Sequence, residues 1–147
     1  MSDQHKKTGS SKGHNIAYTS VLQSARVQSA PERLANVKQA IRDRNFELFA
    51  GVVEEDSNLM HSIMMTSRPP LFYWQPLTLE IMHGITDLRA QSGIQASYTL
   101  DAGPNVHCIC IRNDSEKVIS YLRSLSDTLD IRVSSVGKGA YILDSDT

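Results

Sequence analysis

The spacing of apolar residues predicts helices over the first half of the chain. A short helix is expected over Thr19–Val27, and a longer one should follow with Ser29 as its cap and Pro31 in its first turn. A third helix should begin after a cap at Asn45 and continue to Met65. Two apolar faces are expected to enter the core: Leu34, Val37 and Ile41 on the second helix, and Phe46, Phe49, Val53 and Met60 on the third.

The second half alternates between helical and strand patterns. Pro69 and Pro70 predict an extended segment, after which a helix should begin at Pro76 and stop at Gly93. A further helix should follow a cap at Ser115. Four strands are predicted, over Ile94–Leu100, Val106–Ile111, Ile131–Val133 and Ala140–Leu143.

This order of elements predicts an α+β fold in which helices pack on one face of a mainly antiparallel sheet. We expect a polar N-terminal loop over residues 1–15 and one domain over residues 16–147, because 147 residues suit a single core. The net charge of −1 gives no sign of a nucleic-acid surface. An apolar run of about 18 residues, which a membrane helix needs, is missing, and so is the apolar region of a secretory signal. The expected location is therefore cytoplasmic.

The segment Asp101-Ala-Gly-Pro-Asn105 joins two predicted strands and carries the most informative carboxylate of the chain. Gly103 and Pro104 constrain the turn, so Asp101 should be presented from a rigid frame, as catalytic groups on loops often are. The alternative is that Asp101 only bonds to the local backbone, which is a common habit of Asp in turns.

Other chemistry is less well supported by the pattern. The histidines His5, His14, His61, His83 and His107 lack metal-ligand spacing, so no metal site is predicted. Ser57 and His61 share a helix face, but a nucleophile normally sits on a strained turn, and a polar face buried against the sheet is favoured. Cys108 and Cys110 point to the same face of one strand and are interpreted as small apolar groups, not as a disulfide.

The ordered set of motifs resembles the C-terminal half of the diphosphomevalonate decarboxylases, members of the GHMP kinase superfamily. The resemblance spans residues 2 to 143. The matching pieces, in order, are Gly9-Ser-Ser-Lys-Gly13, Pro31-Glu-Arg33, Arg44-Asn-Phe46, Asp56-Ser-Asn58 with His61, Pro69-Pro70 with Tyr73, and Asp101-Ala-Gly-Pro-Asn105.

The resemblance implies ATP-dependent decarboxylation of mevalonate 5-diphosphate to isopentenyl diphosphate, with ATP and Mg²⁺ as cosubstrate. It implies that Asp101 is the catalytic base and that Ser11 lies near a nucleotide or substrate contact. Ser57, Asn58 and His61 match signature positions for which we expect a structural role.

The family's nucleotide-binding N-terminal half, with its Ser-rich phosphate loop, does not match any part of this chain. We therefore expect little activity from these 147 residues alone, and expect an N-terminal GHMP half, or a second copy in a homodimer, as partner. The chain could be a fragment, a truncated gene product or half of a split enzyme. Two alternatives remain open: a related mevalonate-phosphate decarboxylase or kinase, and a non-catalytic interaction domain.

Overall fold

The computed structural model describes residues 10–126 and 129–139. Within these ranges five helices pack on a two-stranded antiparallel sheet. The helices are α1 (Ser10–Ile16), α2 (Gln23–Asp43), α3 (Phe46–Thr66), α4 (Pro76–Ser92) and α5 (Ser115–Leu125), and the strands are β1 (Ala96–Leu100) and β2 (Val106–Cys110). Short 3₁₀ turns cover Ala17–Thr19 and Arg112–Asp114. The predicted α+β class, with helices packed on an antiparallel sheet, is confirmed.

Local signals explain where α3 begins and where α4 begins and ends. The Asn45 side chain accepts a hydrogen bond from the Leu48 N–H at 3.0 Å, which caps α3 as predicted. Pro76 occupies the first turn of α4, where its missing N–H is harmless, and Gly93 ends the helix in the left-handed conformation at φ 62°. Both boundaries of α4 therefore agree with the sequence prediction.

The prediction for α2 was wrong at its start. One continuous helix begins at Gln23 and Pro31 lies inside it, whereas the sequence suggested a break before a cap at Ser29. Pro31 removes one helical hydrogen bond. Packing of α2 on α3 compensates, because Arg33 is buried and its Nε donates to Asp56 of α3 at 3.0 Å.

The predicted core face of α2 was also wrong. Leu34 and Ile41 are 53% and 62% exposed, and the residues of α2 that are buried are Arg33 and Ala40. The helix thus turns an ion-pairing face toward α3. The result is an exposed apolar stripe on α2, made of Val27, Leu34 and Ile41.

Two further expectations are revised by the structure. Residues 10–15, expected to belong to a polar loop, are helical in α1. Residues 131–133 form no regular strand, and the strand predicted over residues 140–143 lies outside the described residues. The division of the chain into a loop and one domain stays a prediction.

The core lies between α4, α5 and the sheet. Its buried apolar members are Ile81, Met82, Ile85, Ile94, Ala96, Tyr98, Leu100, Val118 and Leu122. Strand β1 is the better buried strand, and its register pairs Tyr98 with Cys108 and Leu100 with Val106. Among the helices of the described residues, none has both the length and the apolar character that crossing a membrane requires.

Candidate functional site

Asp101 follows the last residue of β1 directly and is exposed. The turn after it is tight, because the Gly103 N–H donates to the Asp101 carbonyl oxygen at 2.7 Å. This two-residue hydrogen bond has the pattern of a γ-turn. The sequence prediction that a carboxylate stands on a constrained turn at the end of a strand therefore matches the local geometry.

The far side of the turn is fixed to α4. The Thr78 hydroxyl donates to the Pro104 carbonyl oxygen at 3.0 Å and also accepts from the Gln75 N–H at 3.2 Å. Thr78 is completely buried. One side chain thus caps the start of α4 and holds the turn, which ties the position of Asp101 to a rigid helix end.

The near side of the turn is held by α3. The Leu100 N–H donates to the Ser57 Oγ at 3.0 Å, and the Tyr98 N–H donates to a Glu54 carboxylate oxygen at 3.4 Å. The Asn58 side-chain amide donates to the Tyr98 hydroxyl at 3.1 Å. These residues lie on one face of α3, so a row of polar side chains follows the outer edge of β1.

His61 continues this polar row below Asp101. It is 2% exposed, so its imidazole is almost completely buried. Its ring lies 5.1 Å from that of Trp74 and 5.9 Å from that of Tyr73, centroid to centroid. Burial lowers the pKa of His61 to about 4, against the smaller raising effect of the charge and the backbone of Asp101, so the ring is neutral near pH 7.

Ser57 and His61 do not form a nucleophilic pair. The hydroxyl of Ser57 is engaged by the Leu100 N–H, and both side chains are buried against the sheet. This agrees with the interpretation of the α3 row as a buried polar face.

A buried ion pair lies at the base of the same row. The Arg89 guanidinium of α4 contacts both carboxylate oxygens of Glu54 at 2.8 Å and donates to the Ala96 carbonyl at 2.7 Å. The hydrogen bond to Glu54 raises the pKa of Arg89. Sequence reasoning did not single out either residue, because Glu54 stands in the acidic run Glu54-Glu55-Asp56 and nothing in that run marks it as the buried member.

Ser11 and the two cysteines are placed as follows. Ser11 is exposed on α1. Two residues later, Gly13 is buried, and a Cβ there would lie 3.2 Å from the Tyr73 hydroxyl.

The cysteines are free and half-buried, and burial raises the pKa of Cys108 to about 12, so this thiol is a poor nucleophile.

Comparison with known families decides the affiliation of the chain. Residues 1–141 match the family model described as the mevalonate 5-diphosphate decarboxylase C-terminal domain. The chain belongs to this family.

Relatives of the decarboxylase family are longer than this chain. The diphosphomevalonate decarboxylase of Schizosaccharomyces pombe is 31% identical over 129 residues, which are 86% of this chain and 33% of that protein. The human diphosphomevalonate decarboxylase is 35% identical over 108 residues, which are 71% of this chain and 27% of that protein. The chain therefore spans about a third of the length of these relatives and matches their C-terminal part.

Solved structures agree with the fold. The mevalonate diphosphate decarboxylase from Staphylococcus aureus superposes with a TM-score of 0.80 at 28% identity, covering 87% of this chain and 39% of that one. MDDEF in complex with MVAPP, AMPPCP and magnesium gives a TM-score of 0.78 at 27% identity, covering 84% of this chain and 38% of that one.

Proposed function

We propose that this chain is the C-terminal domain of an ATP-dependent decarboxylase that converts mevalonate 5-diphosphate to isopentenyl diphosphate, and that Asp101 is its catalytic base. The observation that carries the proposal is the exposed carboxylate of Asp101 on a turn held by Ser57 of α3 and Thr78 of α4. Membership of the family supports a catalytic role for the carboxylate on this turn, because the relatives are named for the decarboxylation reaction.

The chemistry requires a fixed proton acceptor. The substrate's 3-hydroxyl is tertiary and hindered, so it attacks the γ-phosphorus of ATP more readily when a carboxylate orients it and accepts its proton. This attack forms a new oxygen–phosphorus bond and releases ADP. The substrate's own C3–O bond then breaks as phosphate leaves with its electron pair. The bond to the carboxylate carbon breaks as well, carbon dioxide departs, and that electron pair forms the double bond of isopentenyl diphosphate.

Magnesium does not fit the described residues alone. They contain no group of three or more His, Cys, Asp or Glu side chains that could hold a metal ion. We therefore assign no residue of this chain to Mg²⁺, and propose that the ligands of the ATP–magnesium complex come mainly from the N-terminal half of the family. Ser11, exposed on α1, stays a predicted nucleotide or substrate contact.

The test uses a complete enzyme in which this chain follows the N-terminal part of the Schizosaccharomyces pombe relative. Asp101→Asn should keep the shape and remove the proton acceptor, lowering kcat by roughly 10²- to 10⁴-fold. The matched control is Asp87→Asn, an exposed aspartate of α4. Release of ADP and of carbon dioxide is measured. Turnover by the Asp101→Asn enzyme within threefold of the unsubstituted one contradicts the proposal.

The 147 residues alone should show no turnover, because the relatives carry about two thirds of their length in addition. A cytoplasmic location also belongs to the proposal and is supported by the free thiols of Cys108 and Cys110. Comparing mevalonate diphosphate with the monophosphate as substrate separates this function from that of a related decarboxylase or kinase.

A second candidate, a non-catalytic interaction domain, is favoured by the exposed stripe of Val27, Leu34 and Ile41 on α2. The partner we propose for it is the N-terminal half of the family, because the relatives carry that part in the same protein as the part that this chain matches. Light scattering of the two separately expressed parts measures the association. A complex that binds but never turns over substrate would favour this second function.

A further inference from the structure

The turn that carries Asp101 is held by hydrogen bonds outside the strand ladder. The register of β1 and β2 stops on either side of residues 101–105. Inside the turn, the Gly103 N–H donates to the Asp101 carbonyl oxygen at 2.7 Å. From outside, the Thr78 hydroxyl of α4 donates to the Pro104 carbonyl oxygen at 3.0 Å. Because these bonds act on neighbouring residues, they connect Asp101 to the start of α4.

The connection between Thr78 and Asp101 is stiff along its length. Thr78 is completely buried in the first turn of α4, and Ile81, one turn later, belongs to the core. The ring of Pro104 fixes its φ angle, and Gly103 before it is buried. A shift of the Pro104 carbonyl would therefore be transmitted to Gly103 and, through its N–H, to Asp101.

Helix capping alone does not account for the hydroxyl of Thr78. Its oxygen accepts the Gln75 N–H at 3.2 Å, and for this contact a small acceptor without a proton would serve. The bond to Pro104 requires a donor, and a hydroxyl combines a donor with acceptor lone pairs. Proline has no N–H, so the carbonyl is the backbone group through which Pro104 can be held. The donor of Thr78 therefore acts on the turn, whereas its acceptor acts on the helix.

We propose that Thr78 is a positioning residue for Asp101: its hydroxyl sets where the carboxylate stands relative to the substrate's 3-hydroxyl, without touching the substrate. This inference rests on the proposed decarboxylase function. A displacement of about 1 Å at a reacting group can lower a rate roughly 100-fold. Loss of the bond to Pro104 should therefore slow turnover, although Thr78 lies on another element and is completely buried.

The experiment is a double-mutant cycle in the complete enzyme joined to the S. pombe N-terminal part. Thr78→Val keeps the shape of the side chain and removes the hydroxyl. We expect it to lower kcat by about 10- to 100-fold, with the KM for mevalonate diphosphate changed by less than about threefold. In the Asp101→Asn background the same substitution should lower kcat by less than about threefold, because the group that Thr78 positions no longer accepts the proton.

Two companion variants test the hydroxyl itself. Thr78→Ser keeps the hydroxyl and loses the methyl group, so its kcat should stay within about threefold of that of the unsubstituted enzyme. The matched control is Thr86→Val on the same helix. The Thr86 hydroxyl donates to the Met82 carbonyl oxygen within α4 at 3.0 Å, so its removal should leave kcat unchanged. Circular dichroism checks that each variant is folded at the assay temperature.

The outcomes separate the positioning role from the function itself. An unchanged kcat of Thr78→Val, or an equal loss in both backgrounds, means that the hydroxyl does not act through Asp101. Either result overturns the inference while Asp101 keeps its role. A Thr78→Ser enzyme as slow as Thr78→Val means that the methyl group decides, and overturns the inference too. No effect of Asp101→Asn alone overturns the proposed function instead.

A second comparison covers the case in which Thr78→Val does not fold. Thr78→Ala then takes its place in the cycle and is compared with Thr78→Ser, from which it differs by the hydroxyl alone. We expect the alanine variant to be the slower of the two by about 10-fold or more. Equal rates of the two variants overturn the inference.

Discussion

Arg89 offers the clearest stability test of the way α3, α4 and β1 are joined. Its guanidinium binds both oxygens of Glu54 and the Ala96 carbonyl, with side chains only 15% and 11% exposed for Arg89 and Glu54. Arg89→Met keeps most of the length and the apolar stem of the side chain. It removes the charge and leaves the Glu54 carboxylate buried without its partner.

The expected magnitude follows from that burial. Removing one member of a buried ion pair typically costs about 3–5 kcal/mol, because the remaining charge stays desolvated. The small remaining exposure and the Tyr98 N–H, which still donates to Glu54, favour the lower end. We expect Arg89→Met to lower the free energy of unfolding by about 3 kcal/mol.

The assay is urea unfolding of the chain at pH 7, followed by circular dichroism. The cycle comprises Arg89→Met, Glu54→Gln and the double variant, which should lose less than the sum of the single losses because no charge is left unpaired. The matched control is Arg132→Met. Arg132 pairs with Asp130 at 3.0 Å, but these side chains are 87% and 63% exposed, so the loss should stay below about 1 kcal/mol.

Two results would refute this reasoning. One is an Arg89→Met loss as small as that of Arg132→Met, which would mean that solvent screens the Glu54 pair despite its burial. The other is strict additivity in the cycle, which would mean that Arg89 and Glu54 contribute independently.

Two further predictions concern His61 and Gly84. Between pH 6.5 and about pH 4 the unfolded chain binds a proton at His61 that the folded chain does not, because the folded pKa is the lower one. The contribution of His61 to the free energy of unfolding should therefore be fully present above pH 6.5 and fall by about 3 kcal/mol as the pH drops to 4. Urea titrations across this range should show a shallower pH dependence of the free energy of unfolding for His61→Phe. Identical slopes for the two proteins would contradict the assignment. A Cβ at Gly84 would overlap the Tyr121 ring of α5, so Gly84→Ala should destabilise by about 1–3 kcal/mol. In a Tyr121→Leu background the same change should become neutral or stabilising by up to about 1 kcal/mol through helix propensity; a loss of equal size in both backgrounds would exclude the clash as its cause.

Local chemistry was sufficient to predict some elements. The cap at Asn45, the start of α4 at Pro76 and its stop at Gly93 each depend on one residue whose backbone or side-chain preference acts within a single turn. The hairpin around Asp101 is similar, since the alternation of β1 and β2 and the Gly103-Pro104 turn lie close together in sequence.

Elements decided by distant partners could not be predicted in this way. The apolar period of α2 suggested that Leu34 and Ile41 face the core, but the buried face is set by Arg33, which pairs with Asp56 of α3. An arginine buried by an ion pair has no signature in the sequence of its own helix.

The candidate site also combines features set by the local sequence with features set by distant partners. The exposed position of Asp101 followed from the turn, whereas the anchoring of that turn by Ser57 and Thr78 depends on how α3 and α4 pack beside β1. The shared face of Ser57 and His61 was visible from their spacing. The target of Ser57, the main-chain N–H of Leu100, required the tertiary structure.

The side chains that line β1 have a consequence for assembly as well. A strand at the edge of a sheet is a template on which another extended chain can add, because its outward N–H and C=O groups invite partners. On β1 three of these groups are already bound: the N–H groups of Tyr98 and Leu100 by α3, and the carbonyl of Ala96 by Arg89. Another strand could add to this edge of β1 only by displacing the buried ion pair of Arg89 and Glu54. The sheet is therefore protected against strand addition on the side that carries Asp101.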